Sequence, residues 1–232
     1  MELKVGSEAE ISTWEEVTLV YNAALRQMDT RIGILIDEFQ QVHRYNPIEH
    51  TKGRVKTPES IVKKLKRHGY DATIENMIKY VNDIAGFRVI CSFTPDIYKI
   101  AEMISNQSDI KVIAVKDYIQ YPKDTGYRSY HMVIAIPVFL SDRIIDTRLE
   151  LQIRTVAMDF WASLEHKIRY KFEGNAPGHI SKDLLECSHM VSALDERMME
   201  LNEEIRMVMN GEAETAEEES TKAEKETETV AT

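Results

Sequence analysis

Asp83 stands just ahead of a strand-like run, in Asn82-Asp83-Ile84-Ala85-Gly86-Phe87-Arg88, and Glu150 sits in the middle of Arg148-Leu149-Glu150-Leu151-Gln152-Ile153-Arg154. The second run alternates without a fault. Leu149, Leu151 and Ile153 face one way, and Arg148, Glu150, Gln152 and Arg154 the other. Two carboxylates at strand positions of one sheet suit a Mg²⁺ ion, which takes few carboxylates and completes its octahedron with water and phosphate oxygens. The plainer readings are an Asp that closes a turn and a strand face that is merely solvated. Between these carboxylates and the N-terminus lies Lys52–Arg67, where Lys52, Arg54, Lys56, Lys63, Lys64, Lys66 and Arg67 outweigh Glu59 to leave a local charge of +6. A metal site facing such a segment is apparatus for phosphoryl transfer, neutralising a polyphosphate while an attacking hydroxyl is aligned. A solvated basic helix face is the bland alternative. The segment lacks the glycine spacing of a Walker A loop, which removes the P-loop NTPases.

A third cluster comprises Lys116, Tyr118, Tyr121, Lys123, Gly126, Tyr127, Arg128, Tyr130 and His131. Tyrosines interleaved with cations suit stacking on a base while holding phosphates. Gly126 reads as a turn residue that exposes the Tyr127 ring, whereas Tyr118 and Tyr130 read as aromatics packed on a core. His131 fits a general base in isolation, but a lone strand histidine is usually structural.

These groups need a scaffold, and the periodicities describe one. Residues 9–44 read as one long helix, with overlapping capping-box signals from Ser12, Thr13, Glu15 and Glu16. Its apolar positions repeat as a heptad from Ile11 through Trp14, Tyr21, Leu25, Met28, Ile32, Leu35 and Phe39 to Val42, and Asn46-Pro47 ends it. Thr57-Pro58 opens a short basic helix that Gly69 closes, and Asp71 is placed to cap another. Strand-like runs follow at Gly86–Phe93, Ile110–Asp117, Arg128–Val138 and Asp146–Arg154, with a helix from Thr94-Pro95 after the first. Thr155 caps an amphipathic helix to about Phe172, before a turn region at Gly174–Gly178. From Leu184 to Val208 a second heptad runs unbroken until Gly211. The expected fold class is α+β: a mixed sheet of about five strands with surrounding helices, flanked by long N- and C-terminal helices.

The chain has 232 residues, 43% hydrophobic and 29% charged, which is globular composition and excludes a wholly disordered protein. Of the net charge of −10, residues 211–232 carry −6, and that Glu/Thr/Ala tail is expected to be disordered. An acidic protein with one concentrated basic stretch points to a small phosphate-bearing ligand more than to a long nucleic acid. No apolar run reaches the ~20 residues of a membrane helix. Met1-Glu2-Leu3-Lys4 opens no signal peptide, and Cys91 and Cys187 read as reduced core residues without zinc spacing, so the expected location is the cytoplasm.

Taken together, Gly53-Arg54-Val55-Lys56, Asp83-Ile84-Ala85-Gly86-Phe87-Arg88, Gly126-Tyr127-Arg128-Ser129-Tyr130-His131, Glu150-Leu151-Gln152-Ile153-Arg154-Thr155 and Trp161-Ala162-Ser163-Leu164-Glu165-His166 resemble the RelA/SpoT synthetase domain. Their order and spacing are most similar to RelQ-type small alarmone synthetases, over about residues 10–205. The resemblance implies a nucleotidyltransferase-like fold and a GTP diphosphokinase, which transfers the β,γ-pyrophosphate of ATP to the 3′-hydroxyl of GDP or GTP. It implies that Arg54 and Arg88 sandwich the adenine, that Lys56, Ser60, Lys64 and Arg67 hold the ATP phosphates, and that Glu165 lies near the ATP side. Asp83 and Glu150 become the metal and catalytic pair on Mg²⁺, with Glu150 orienting or deprotonating the acceptor hydroxyl. Tyr127 stacks on guanine, with Lys116, Lys123, His131 and Gln152 around the acceptor and Asp159 at the guanine edge.

The division that follows is an N-terminal helix (1–45), a catalytic core (46–175), a C-terminal oligomerisation helix (176–210) and the acidic tail (211–232). The resemblance also implies a homotetramer assembled through the terminal helices, with (p)ppGpp or RNA as its regulators. In the first helix Arg26 and Arg31 are the candidate anion-binding residues, although Asp29 and Gly33 share similar faces. No His is followed by Asp, so the hydrolase motif of the long RelA/SpoT proteins is not expected. Two competing readings use the same residues: a toxic small synthetase acting on adenine nucleotides or the tRNA 3′ end, and a catalytically dead nucleotide- or RNA-binding regulator.

Overall fold

The faultless alternation around Glu150 belongs to the longest strand of the molecule, β6 (Arg143–Thr155), and the sheet is assembled on both of its edges. A computed structural model describes residues 4–43, 45–171 and 177–230. One edge of β6 pairs antiparallel with β5 (Tyr130–Phe139), which in turn carries β4 (Lys111–Asp117). The other edge is shared by two parallel partners. β1 (Lys4–Ser7) takes Arg143–Asp146, and β3 (Ala85–Cys91) takes Glu150–Thr155. β2 (Ile48–Val55) closes that side, antiparallel to β3. The result is the mixed α+β sheet expected, with six strands in place of about five: β1 and β2 were not legible. β2 alternates too weakly, with His50, Thr51, Lys52, Gly53 and Arg54 in a row, because as an edge strand it buries little but Ile48.

Seven residues of α1 (Trp14–Gln41), Val17, Val20, Tyr21, Ala24, Met28, Ile32 and Phe39, are nearly inaccessible to solvent, and they pack in the same core as Phe87, Leu149, Leu151 and Ile153 of the sheet. Val17, Val20 and Ala24 lie off the heptad, so the stripe is the broad core face of a globular helix and not a narrow coiled-coil seam. The helix starts at a Thr13–Glu16 capping box and ends well before Asn46-Pro47. Arg31 does not offer itself to an anion. It is paired with Asp109 and also bonds Gln107.

Thr57 caps α2 (Pro58–Arg67), and the following Gly69 has φ +78°. The cap of α3 (Ile74–Tyr80) is Thr73, which accepts the Asn76 amide, and not Asp71. α4 runs Thr94–Ser105, and α5 (Val156–Lys171) begins where Thr155 accepts the Met158 amide. The turn expected at Gly174–Gly178 falls mostly outside the described residues. α6 spans Gly178–Val230. It passes the expected stop at Gly211 and continues through the tail expected to be disordered, since the glutamates and alanines there are good helix formers that outweigh one glycine.

Two compact units divide the chain, Met1–Val191 and Ser192–Thr232. In the first, the sheet core is joined by a smaller cluster of Trp161, Ala162 and Leu184, against which Tyr127, Ile180 and Val191 pack. In the second, Leu194, Met198, Ile205 and Val208 are exposed on one helix face, and Arg197 pairs with Glu200 at 2.8 Å. Among the described residues no helix is long and apolar enough to cross a membrane.

Candidate active site

Strand register explains why residues so far apart in sequence meet. Arg54 of β2 is opposite Gly86 of β3, Gly86 opposite Glu150 of β6, and Glu150 opposite Val133 of β5. Two residues along, the next row reads Lys52, Arg88, Gln152, His131 and Lys116 across five of the six strands. Laterally paired residues share a face, so both rows line one side of the sheet. A cleft of about 400 Å³ opens over them, walled by Tyr127 and by Ala162, Ser163, Glu165 and His166 of α5.

At one end Asp83, in the turn before β3, accepts from the ammonium of Lys56 and, at 2.7 Å, from that of Lys64 on α2. Burial works against its ionisation, but the two lysine hydrogen bonds outweigh burial and hold the carboxyl below the usual range. At the centre Glu150 Oε2 accepts from Gln152 at 2.7 Å, and Oε1 lies 3.5 Å from His131 Nδ1. Burial again raises the pKa, yet His131 and Gln152 pull it below normal against the opposing charge of Asp83. Both carboxylates are therefore ionised at neutral pH. Arg148, on the same strand face as Glu150, turns away from it to Glu8, Asn82 and the Ile78 carbonyl.

At the other end the Tyr127 hydroxyl bonds His131 Nε2 at 2.8 Å and accepts from Arg154. The Lys123 ammonium lies between the Tyr118 and Tyr127 rings, 4.5 and 4.7 Å from their centroids. Tyr118 thus joins the cleft's aromatic cluster, contrary to its reading as a core aromatic, while Tyr130 packs against the core as expected. Asp159 Oδ1 is taken by two guanidiniums, Arg88 at 2.8 Å and Arg154 at 3.1 Å. Burial and the facing Arg154 charge lower the pKa of Arg88, and Asp159 opposes them.

Of the residues singled out in the sequence, Arg54, Asp83, Arg88, Tyr127, Glu150, Gln152 and Glu165 line the cleft, and Lys56, Lys64, His131 and Asp159 contact those that do. Lys123 reaches it through the Tyr127 ring. Ser60, Arg67 and Lys116 are exposed and do not line it; the Ser60 hydroxyl pairs with Thr57 in the α2 cap. Gly86 lies in an open strand position with ordinary backbone and not in a turn. Arg154, Lys52, Ser163 and His166 were missed as cleft residues. Arg154 was recoverable from the alternation that placed it on the face of Glu150. Among the described residues no set of three His, Cys, Asp or Glu side chains gathers as metal ligands. Mg²⁺ needs only one or two carboxylates beside phosphate oxygens and water, so Asp83 and Glu150 fit it.

Residues 53–175, which carry all of these groups except Lys52, match the family model described as the region found in RelA / SpoT proteins. The chain belongs to the RelA/SpoT family. It is 44% identical over 209 residues to the GTP pyrophosphokinase YwaC of Bacillus subtilis, covering 88% of this chain and 100% of that one. The crystal structure of small alarmone synthetase 2 from Bacillus subtilis superimposes with a TM-score of 0.75 at 45% identity, over 82% of this chain and 98% of that chain. Small alarmone synthetase 1 from the same organism, bound to its product pppGpp, gives a TM-score of 0.78 at 34% identity, over 83% and 97%. The RelA/SpoT region begins within β2 and ends after α5, so the register rows above lie almost wholly inside it.

Proposed function

We propose that this chain is a GTP pyrophosphokinase that makes (p)ppGpp, moving the β,γ-diphosphate of ATP to the 3′-hydroxyl of GDP or GTP. One observation carries the reading. Glu150 on the central strand has Arg54 and Arg88 on the strands to one side and His131, with Tyr127, on the other, which gives a donor side and an acceptor side across a single carboxylate. Similarity to YwaC along the whole length of that protein supports the same reaction here.

The guanidiniums of Arg54 and Arg88 supply flat cationic faces for the adenine. Lys56 and Lys64 now neutralise Asp83. Polyphosphate drawn to them competes for the same ammonium groups and leaves the carboxylate available to a cation. Mg²⁺, held by Asp83 and Glu150, would supply the charge neutralisation that phosphoryl transfer needs. Tyr127 offers a ring to guanine, and Asp159 a carboxylate to its edge. In the transfer the acceptor 3′-oxygen bonds to the β-phosphorus as the bond to the α-phosphate's bridging oxygen breaks. AMP leaves with that oxygen, and the hydroxyl proton passes to Glu150, a carboxylate ionised at neutral pH.

The exposed apolar face of the second unit suits assembly, and we assign the contacts of a homotetramer to it; the stripe of α1 is already in the core. The setting is the cytoplasm and the stringent response. Incubating the purified protein with radiolabelled ATP, Mg²⁺ and, separately, GDP, GTP, an adenine nucleotide or tRNA tests the whole reading. Labelled ppGpp or pppGpp together with AMP is the expected outcome. Label on the adenine nucleotide or tRNA alone identifies the toxic synthetase, and no transfer identifies a dead scaffold. Adding pppGpp or RNA to the same assay tests regulation.

A further inference from the structure

Arg154 was no part of the expected site, yet it is 4% exposed and has every nitrogen of its guanidinium engaged. Nε donates to the buried Ser129 hydroxyl at 3.2 Å and Nη1 to Asp159 at 3.1 Å, while Nη2 donates to the Tyr127 hydroxyl and, at 3.0 Å, to Gln152. Four of the five N–H donors of this guanidinium go to protein acceptors, so its part is played chiefly through the groups it holds. Those groups come from different elements. Tyr127 and Ser129 belong to the turn leading into β5, Gln152 to β6, and Asp159 to the first turn of α5. Through Asp159 the chain of contacts reaches Arg88 on β3, and through Tyr127 it reaches His131 and so Glu150.

We propose that Arg154 is a positioning residue that holds the acceptor-side Tyr127 in register with the donor-side Arg88. The inference rests on the diphosphate-transfer reading above and deepens it. Transfer between two bound nucleotides is sensitive to displacements of an ångström, so a link that fixes where the Tyr127 ring receives the acceptor bears on acceptor binding as well as on rate. Only arginine can make this link, because its planar fork sends donors in several fixed directions, whereas a lysine offers three donors from one atom.

The test compares wild type, Arg154→Lys, Tyr127→Phe and the double variant in steady-state diphosphate transfer, with thermal unfolding of each. Tyr127→Phe keeps the ring and removes the hydroxyl, which bonds both Arg154 and His131. Losing a hydrogen bond to a charged partner should raise the acceptor KM roughly tenfold or more in each single variant. The ATP KM should stay unchanged, and the double variant should fall short of the product of the two single effects, because the variants share the Arg154–Tyr127 link although each also cuts bonds of its own. An unchanged acceptor KM in Arg154→Lys overturns the proposal. So do additive effects in the double variant, or an equal rise in the ATP and acceptor KM, which mark a merely structural role. Should Arg154→Lys not fold, Tyr127→Phe decides alone, and an unchanged acceptor KM there overturns the proposal. A wild type that transfers nothing refutes the enzymatic reading itself, so the two failures are told apart.

Discussion

At the scale of single residues, the proposed chemistry centres on Glu150. Its two oxygens are approached by Gln152 and His131, so its rotamer is held while it remains charged. Glu150→Gln keeps shape and hydrogen bonding but removes charge and basicity. Turnover should fall by roughly 10²–10⁴-fold, the usual contribution of a general base, while ATP still binds. Calorimetry and product formation on the same folded variant check this, and near-wild-type turnover would return Glu150 to a solvated strand carboxylate. Arg54→Ala makes the complementary prediction for the donor side. Losing a stacked cation at the cleft wall should weaken ATP binding by about 1–2 kcal/mol, and an unchanged ATP affinity would remove Arg54 from the site. Alternation in the sequence told which residues share the face of Glu150 but not which way a long side chain leans along it. Arg148 leans toward the buried carboxylate of Glu8, 140 residues earlier, and no local pattern contains that attraction. For the same reason His131 read as a lone histidine until the pairing of β5 with β6 set it opposite Gln152.

At the scale of elements, the turn that presents Tyr127 depends on α6. Gly126 has φ +85°, its carbonyl accepts from the Ser188 hydroxyl, and a Cβ added there would lie 2.6 Å from the Ser188 Cβ. Left-handed backbone costs an L-residue about 1–2 kcal/mol even without that clash. Gly126→Ala should therefore lower the melting temperature by at least several degrees and raise the acceptor KM. Gly86→Ala, whose added methyl meets nothing within 4 Å, should leave the melting temperature unchanged, and differential scanning calorimetry separates the two. The turn glycine was legible because Gly before an exposed Tyr already suggested a turn, whereas its partner Ser188, 62 residues away, was not. Elements with strong periods were readable. β3 to β6 lie close to the expected runs, and Thr57 and Thr155 cap as expected. α1 was readable as a helix, but a heptad in sequence does not reveal whether its partner is another helix or, as here, the underside of a sheet.

On the scale of the whole molecule, the assembly proposed above rests on the C-terminal unit. Leu194 is 62% exposed on the apolar face of α6, and Leu194→Asp should dissociate the oligomer in light scattering. A wild type that is already monomeric contradicts the assignment. Deleting residues 212–232, rich in Glu and poor in apolar side chains, should leave assembly and activity nearly unaltered. The sheet carries another consequence, one of timing. β1 pairs parallel with β6 in the register Lys4 to Arg143 and Ser7 to Asp146, and the neighbouring Glu8 meets Arg148. A chain made from its N-terminus produces the first of these partners well over a hundred residues before the second, and such distant pairings are slow to close. The N-terminal strand must therefore wait, exposed, while nearly the entire domain emerges. Its docking is the late event that covers this stretch of the central strand, so destabilising β1 should leave the Arg143–Asp146 edge of β6 open to aggregation for longer.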